Sequence, residues 1–430
     1  MRVVSQPGHR VSYASVAGSL AAAGRNNGDM QDVASAEGSE YKMLDTLMRR
    51  LALPADAKAE VVRPRGHNGR HPSVSVHVPC YNYGHYLPQC VNSALDQPDV
   101  RVDVDITDDA STDGTDQVVR RLVEQDPRIH AIFHTKNQGN VAGGNEWIPQ
   151  ATGDYVVFLS ADDLLTPGCL SRATALMDEN PSVGLTYGSP IVFTDEALPP
   201  ARTNAKSWII WQGSDWIMQA CKTGHNPLKC PEIVIRTSVL HEIGGFRPEL
   251  PHAGDFEMWM RAATISDVGY IVGADQGYYR IHGHNMHHKF SVLDDLSDRL
   301  GAFDAIFSDH PGLLKDADSM RDTAHRTIAR IALNEAVRAT AYRAIAQSTF
   351  RHVIGRYSRG VVNDDPVDNY TAFALKAWPD ARKLKEWQTL EKLINERDSP
   401  PNLGPSLVAR MAMRKLRTRN QLWRRRWTGV

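Results

Sequence analysis

The spacing of apolar residues changes several times along this chain, and each change marks an element. Ser73–Val78 (SVSVHV) is short and rich in valine, which predicts a strand, and His85–Asp96 comes next as a helix with Pro88 in its first turn. Val102–Thr107 predicts a second strand, running into Asp108-Asp-Ala-Ser-Thr-Asp-Gly-Thr115 and then a helix to about Gln125. Ile129–His134 is a third strand, Gly143–Gln150 a short helix, and Asp154–Ser160 (DYVVFLS) a fourth, very apolar strand. Strands alternating with helices of this length give βαβ units and a mostly parallel sheet covered on both faces, so the fold class is α/β.

Outside that core the pattern is different. Leu164 to Ile281 is mixed, with short strands near Gly184–Tyr187, Glu232–Ile235 and Gly269–Val272. Ser291 to about Arg359 reads as helical, since Ile328, Ile331, Ala332, Ala336 and Ala339 share one face; Tyr370–Arg397 is helical too, broken at Pro379. Upstream, residues 1–40 have no stable period and are expected to be mobile, while Glu40–Ala52 has helical spacing. Arg63–Pro72 is a polar Pro/Gly linker. The chain thus divides into a mobile N-terminal segment with a short helix over 1–70, a sheet domain over 71–290, a helical region over 291–400 and a tail over 401–430.

Composition narrows the function classes. The 430 residues are 42% hydrophobic, enough for a large core, and the formal net charge of −1 carries no signature of a nucleic-acid partner. That balance hides an asymmetry, because Arg410 onward holds eight basic residues and no acidic one. Five cysteines without a C-x-x-C pair favour a reducing compartment. The first residues lack the apolar core of a secretory signal, and no run approaches the ~18 apolar residues that span a bilayer. A cytoplasmic protein is expected.

In an open parallel sheet, ligands bind outside the carboxyl ends of the strands. Three polar clusters fall at such ends: Pro79-Cys-Tyr-Asn-Tyr-Gly84, Asp108-Asp109 and Ser160-Ala-Asp-Asp163. Each alone is compatible with ordinary turn chemistry. Asp162 and Asp163 offer adjacent carboxylates of the kind a hard divalent cation shares with substrate phosphates; Asp163 could equally cap the next helix. Gly254-Asp255-Phe-Glu257 puts two acids at the start of a helix, where the dipole favours them and where one can act as a general base. Tyr278–His288 gathers four histidines, as exposed polar side chains or as metal ligands.

Taken in order, these pieces resemble the family 2 glycosyltransferases. Val78-Pro-Cys-Tyr-Asn82, Asp108–Thr115, Asn137-Gln-Gly139, Ala151-Thr-Gly-Asp154, Leu159-Ser-Ala-Asp-Asp163 and Gly244-Gly-Phe246 followed by Asp255 carry the resemblance, which runs from about Ser73 to His288. It implies a GT-A fold, a Rossmann-like nucleotide-binding sheet with a mostly helical C-terminal region. The nucleotide-binding set would be Pro79, Tyr81, Asn82, Asp108, Asp109, Asn137 and Ala161, with one aspartate of the pair accepting the imide N–H of a pyrimidine. Asp162 would match the last acid of the D-x-D metal motif and His282 a position that helps hold metal or diphosphate. Asp255 would be the catalytic base, with Ser160, Asp163 and Glu257 in support. The cofactor implied is Mn²⁺ or Mg²⁺, and the reaction is inverting transfer from a UDP- or dTDP-sugar.

Two departures qualify the match. Ser160 stands where the motif has its first acid, leaving the metal one carboxylate fewer, and Gly144 stands where a basic residue is common. The Q-x-x-R-W motif of processive synthases is missing, which points to single additions. The acceptor is open: a lipid-linked glycan, a protein or a small molecule, selected by Thr194–Asn226 and the helical half. Trp423 and Trp427, four apart among the tail's cations, suit contact with an anionic inner membrane face or, equally, with a protein surface, and a homo-oligomer is compatible. A non-catalytic domain binding glycans or partners is the alternative. A dehydrogenase is disfavoured, because G-x-G-x-x-G does not follow the first strand.

Overall fold

The computed structural model describes residues 59–395 apart from 67–68, 195–196, 229, 286–289, 310–311, 313, 315 and 350–365. The expected mobile segment over 1–40, the helix over Glu40–Ala52, the basic tail and His287 and His288 lie outside the described residues. From the second strand onward the expected alternation holds. In chain order the elements are β1 Ala59–Val62, β2 Ser73–Cys80, α1 Leu87–Leu95, β3 Arg101–Asp108, α2 Thr115–Gln125, β4 Ile129–Phe133, α3 Asn140–Trp147 and β5 Tyr155–Phe158. Then come β6 Leu164–Leu165, α4 Cys169–Glu179, β7 Val183–Phe193, β8 Ser207–Trp211, α5 Gly213–Thr223, β9 Val234–Arg236, α6 Thr237–Ile243, α7 Gly254–Ile265 and β10 Asp267–Arg280. The helical region supplies α8 Val292–Asp309, α9 Ala317–Thr349, α10 Pro366–Ala377 and α11 Lys385–Asn395.

These strands form one ten-stranded sheet, ordered β1-β8-β10-β7-β9-β5-β2-β3-β4, with β6 paired to β10. Its first half, β5-β2-β3-β4, is parallel throughout, as the βαβ pattern requires. The second half is mixed: β9 runs antiparallel to both β5 and β7, and β8 runs antiparallel to β10 and β1. An all-parallel arrangement therefore describes the β5-β2-β3-β4 half alone, while in the other half β7 and β10 run parallel beside antiparallel neighbours. Inside what was expected to be an N-terminal segment, Ala59–Val62 is an edge strand on β8. Buried on both faces, β2 and β5 carry valines and aromatics with no exposed position, so they read as apolar runs rather than alternations.

Two apolar cores lie against the sheet. One collects Val76, Val104, Leu87 and Val119 beneath α1 and α2. The other joins Trp211, Tyr270 and Trp259 to Phe303, Ile306, Ala324 and Ile328, so α8 and α9 share a core with the sheet and are not a detached appendage. The predicted face of α9 divides: Ile328, Ile331 and Ala332 join this core, while Ala336 and Ala339 meet Val367 and Leu390 of α10 and α11. Among the described residues, no helix is long and apolar enough to cross a membrane.

A buried ion cluster fixes α7, the helix whose first turn carries Asp255. Glu257 is fully buried and accepts from Arg261 Nε at 2.9 Å and from Arg247 Nε at 3.0 Å. Arg261 in turn donates to the carbonyls of Ile243 and Gly245. Removing one member of such a group leaves the other charges without compensation in a low-dielectric interior. Glu257→Ala is expected to lower unfolding free energy by about 3–5 kcal/mol, seen as a fall in the denaturant midpoint at unchanged slope.

Candidate active site

The first two strand ends are built into one another. Asn82 adopts the left-handed backbone (φ 59°), its N–H donates to Ser111 Oγ at 2.9 Å, and its Oδ1 accepts from Thr112 N at 2.8 Å. Gly84 closes the same junction: its N–H donates to Thr115 Oγ1 at 2.9 Å, and a Cβ would lie 2.8 Å from that oxygen. Asn82 thus acts on the neighbouring loop, while Tyr81 beside it stays 44% exposed, its ring available to a ligand. Buried Asp108 accepts from Ser111 N at 3.1 Å.

Asp109 organises the next loop. It accepts from Gln138 N at 2.8 Å and Gly139 N at 2.7 Å, and pairs with His134 Nδ1 at 2.8 Å. Burial by itself would raise its pKa; these donors more than offset that and hold its carboxyl below the usual carboxylate range. Burial likewise works against His134, but Asp109 and Glu146 (3.0 Å) raise it overall. Asn137, which the resemblance placed with the nucleotide, is exposed on this loop, and Asn140 and Val141 line the cavity instead.

At the end of β5 the two aspartates face different partners. Asp163 is buried and accepts from the backbone N–H of Arg280 at 2.8 Å. Asp162 Oδ2 sits 2.9 Å from His282 Nε2 and accepts from Asn285 Nδ2 at 3.3 Å. His282 Nδ1 accepts from His284 N at 3.2 Å, which leaves the ring proton on Nε2, toward Asp162. The imidazole lies between Tyr86, stacked at 5.5 Å, and Tyr83, edge-on at 5.4 Å. Arg280 completes the assembly: its Nε donates to the Asp162 carbonyl at 2.7 Å, its Nη2 to Gln89 Oε1 at 2.9 Å, and its guanidinium covers the Tyr86 ring. Ala161, placed with the nucleotide by the resemblance, is buried and presents almost no surface to a ligand.

Asp162 and His282 bring one carboxylate oxygen and one imidazole nitrogen to the same point, a donor set that suits Mn²⁺-like ions once the Nε2 proton moves to Nδ1 and the contact with His284 N is released. Among the described residues no third His, Cys, Asp or Glu joins them. The other positions of a cation here would fall to phosphate oxygens and water, as is usual for Mg²⁺-type sites.

A cavity of about 760 Å³ is lined by Pro79, Ser160 and Asp255 from separate elements; Asp162 and His282 are not in its lining, which their chain neighbours Ser160 and Ile281 reach. Asp255 Oδ1 accepts from Phe256 N at 2.6 Å within its own helix turn, and its Oδ2 accepts from Asn226 Nδ2 at 3.2 Å. Tyr279, on the cavity wall, has its hydroxyl pushed up to about 12, by burial first and then by the negative fields of Asp163, Asp162 and Asp255. That single phenol therefore feels both carboxylate groups at once. His77 in the cavity lining stacks on Trp147 at 4.8 Å and is kept neutral by burial, its pKa lowered to about 3. Glu257 lies in the ion cluster under α7, away from this lining.

The departure at Gly144 has a steric cause. Asn145 clamps Phe246 through both backbone groups (Nδ2 to O 2.8 Å, N to Oδ1 2.6 Å), and a Cβ on Gly144 would come within 3.0 Å of the Phe246 ring. The partner glycine, Gly245, is needed for the same approach, since its Cβ would meet Asn145 Oδ1 at 2.2 Å. Sequence reading missed Tyr83, Tyr86, Arg280 and Asn285. The tyrosines flank a motif already noticed, and Arg280 precedes the histidine cluster by two residues, so their proximity was the available signal.

Comparison with known proteins bears on the family and the fold. The family model Glycosyl transferase family 2 matches residues 75–243. A glycosyltransferase of Nostoc sp. is 28% identical over 228 residues, half of this chain and 66% of its own length. Hyaluronan synthase of Pasteurella multocida is 27% identical over 51% of this chain and 21% of its own. A putative teichuronic acid biosynthesis glycosyltransferase of Bacillus subtilis is 39% identical over 25% of this chain and 43% of its own. The chain thus spans less than two thirds of the length of each of these relatives. Among solved structures, S. aureus TarS 1–349 in complex with UDP-GlcNAc matches with a TM-score of 0.51 at 17% identity, over 75% of this chain and 91% of that one, a likeness of fold. Family match and likeness of fold agree over the same stretch: residues 75–243 match the family 2 glycosyltransferases, within a sheet that has the GT-A fold.

Proposed function

We propose that the protein transfers a sugar from a UDP- or dTDP-sugar to an acceptor hydroxyl, with inversion and by single additions. The observation that carries this reading is the convergence of Pro79, Ser160 and Asp255 on one cavity, whose lining residues Ser160 and Ile281 lie one or two positions before Asp162 and His282 in the chain. The solved protein in complex with UDP-GlcNAc shares the fold, which makes a UDP-sugar the first donor to test.

In this mechanism the nucleotide lies along the ends of β2 and β3, against Tyr81 and the Asp108–Asp109 loop. Asp162 and His282 would hold a divalent cation, which neutralises charge on the departing diphosphate when bound. Asp255 takes the proton of the acceptor hydroxyl; the oxygen attacks the anomeric carbon as the bond to the diphosphate breaks on the opposite side. Asn226, bonded to Asp255 Oδ2, holds that carboxylate in place. Ser160 contributes no charge where a second carboxylate would stand, so metal affinity is modest.

Asp255→Asn is expected to lower kcat by about 10²–10⁴-fold, while stabilisation by the nucleotide stays as in the wild type. In thermal-shift measurements UDP or dTDP with Mn²⁺ should stabilise the protein by about 2.7 kcal/mol at a hundredfold excess over Kd. EDTA, or Asp162→Ala, should remove most of that increment. A panel in which no nucleoside diphosphate moved the melting temperature would overturn the reading.

A further inference from the structure

The loop before α7 and the start of α8 bring a second polar group into the cavity, built from residues outside the family motifs. His252 Nε2 lies 3.0 Å from Asp295 Oδ1, and the other oxygen of Asp295 accepts from Arg299. His252 also stacks on Phe290, with ring centroids 4.4 Å apart and planes 29° from parallel. His252, Phe290, Asp295 and Arg299 all line the same cavity as Asp255. The Asp295 side chain keeps 32% of its surface exposed and that of His252 keeps 24%, so both reach a ligand, whereas Arg299 is nearly enclosed at 8%.

This group is unlike a simple structural ion pair. A carboxylate has about four acceptor positions, and Asp295 spends one on His252 and one on Arg299, leaving capacity for hydroxyl donors. Arg299 is committed elsewhere as well, since its Nη1 donates to Gly224 O at 2.6 Å and contacts His225 Nδ1 at 2.6 Å. Facing the cavity is an oriented carboxylate and imidazole beside an aromatic ring. A sugar ring has the matching character: a rim of hydroxyls that donate and accept, and a C–H face that packs on apolar surface.

A peptide acceptor fits less well. One common mode, addition of an extended peptide to an open strand edge, is restricted here, because β2 and β10 have neighbours on both sides and β5 is paired to β2 along its length and to β9 at Tyr155 and Val156. The volume also allows more than a donor sugar, because about 760 Å³ lies in the upper part of the ~300–1,000 Å³ range of small-molecule pockets.

We infer that His252, Asp295 and Phe290 form a subsite for a hexopyranoside acceptor and present one of its hydroxyls to Asp255. The inference rests on the reading of this cavity as the place of transfer. In the subsite the Asp295 carboxylate and the His252 imidazole bind ring hydroxyls, and Phe290 supports the ring. His252 and Asp295 are specificity-determining residues, and Arg299 and His225 are positioning residues behind them.

Saturation-transfer NMR on the full chain with UDP and Mn²⁺ tests this. The probes are methyl β-D-glucopyranoside, methyl β-D-galactopyranoside, methyl N-acetyl-β-D-glucosaminide and a blocked Ser/Thr peptide. At least one glycoside should receive saturation on its ring protons and the peptide none. His252→Gln and Asp295→Asn should each weaken that glycoside at least tenfold, leaving the thermal shift given by UDP within a degree of wild type. The inference is overturned if only the peptide binds, if no glycoside binds, or if glycoside affinity stays within twofold in both variants. It is overturned equally if both variants lose the UDP response that the wild type gives, since the pair would then be structural. Glycoside binding by a wild type that ignores every nucleoside diphosphate would sink the transfer reaction and leave the sugar subsite standing. A nucleotide response without glycoside binding would do the reverse.

Discussion

Arg280 is the tie on which the functional edge depends. Its backbone N–H holds Asp163, its Nε holds the carbonyl of Asp162, and its guanidinium is fixed by Gln89 and the Tyr86 ring. Three elements distant in sequence, α1, the loop after β5 and the end of β10, are thereby locked at one point. Two residues beyond Arg280 comes His282, so the same tie delivers the imidazole to Asp162. A buried cation also offsets part of the negative charge that Asp162 and Asp163 bring into a partly dry site, where like charges repel more strongly than in water.

A parallel arrangement holds the carboxylate on the cavity wall. Asp255 belongs to the first turn of α7, where the helix dipole favours a negative charge. The orientation of α7 is set two residues further on by Glu257 with Arg261 and Arg247, and Arg247 also reaches Asp309 at the end of α8. Cavity wall and support are therefore separated within one helix turn: Asp255, which lines the cavity, is half-buried, and Glu257, which anchors the helix, is fully enclosed.

Much of this was legible in the sequence because turn chemistry and strand ends coincide in a parallel sheet. The strands at Ser73, Val102, Ile129 and Asp154 were visible as apolar runs ending in Asp, Asn or Gly, and the site residues at those ends follow from the topology. The second half escaped. Two long strands, β7 and β10, are interrupted by Gly188-Ser-Pro190 and by Gly273, Asp275 and Gly277, and the register between them shifts at those points, so each read as a short piece. Strand β8 (SWIIW) is buried at all five positions, without a period to distinguish it. Long-range pairs such as His252–Asp295, forty-three residues apart, have no local signature at all.

The core that joins α8 and α9 to the sheet bears on how the molecule can be divided. Phe303, Ile306, Ala324 and Ile328 are buried against Trp259 and the sheet, not against one another alone. A chain cut after β10 would bare that apolar surface to water, and large exposed patches of this kind drive association and precipitation. The sheet and the two helices consequently belong to one cooperative folding unit, lost and regained together. An active fragment must therefore carry α8 and α9, although the motifs of the transferase family all lie upstream of them.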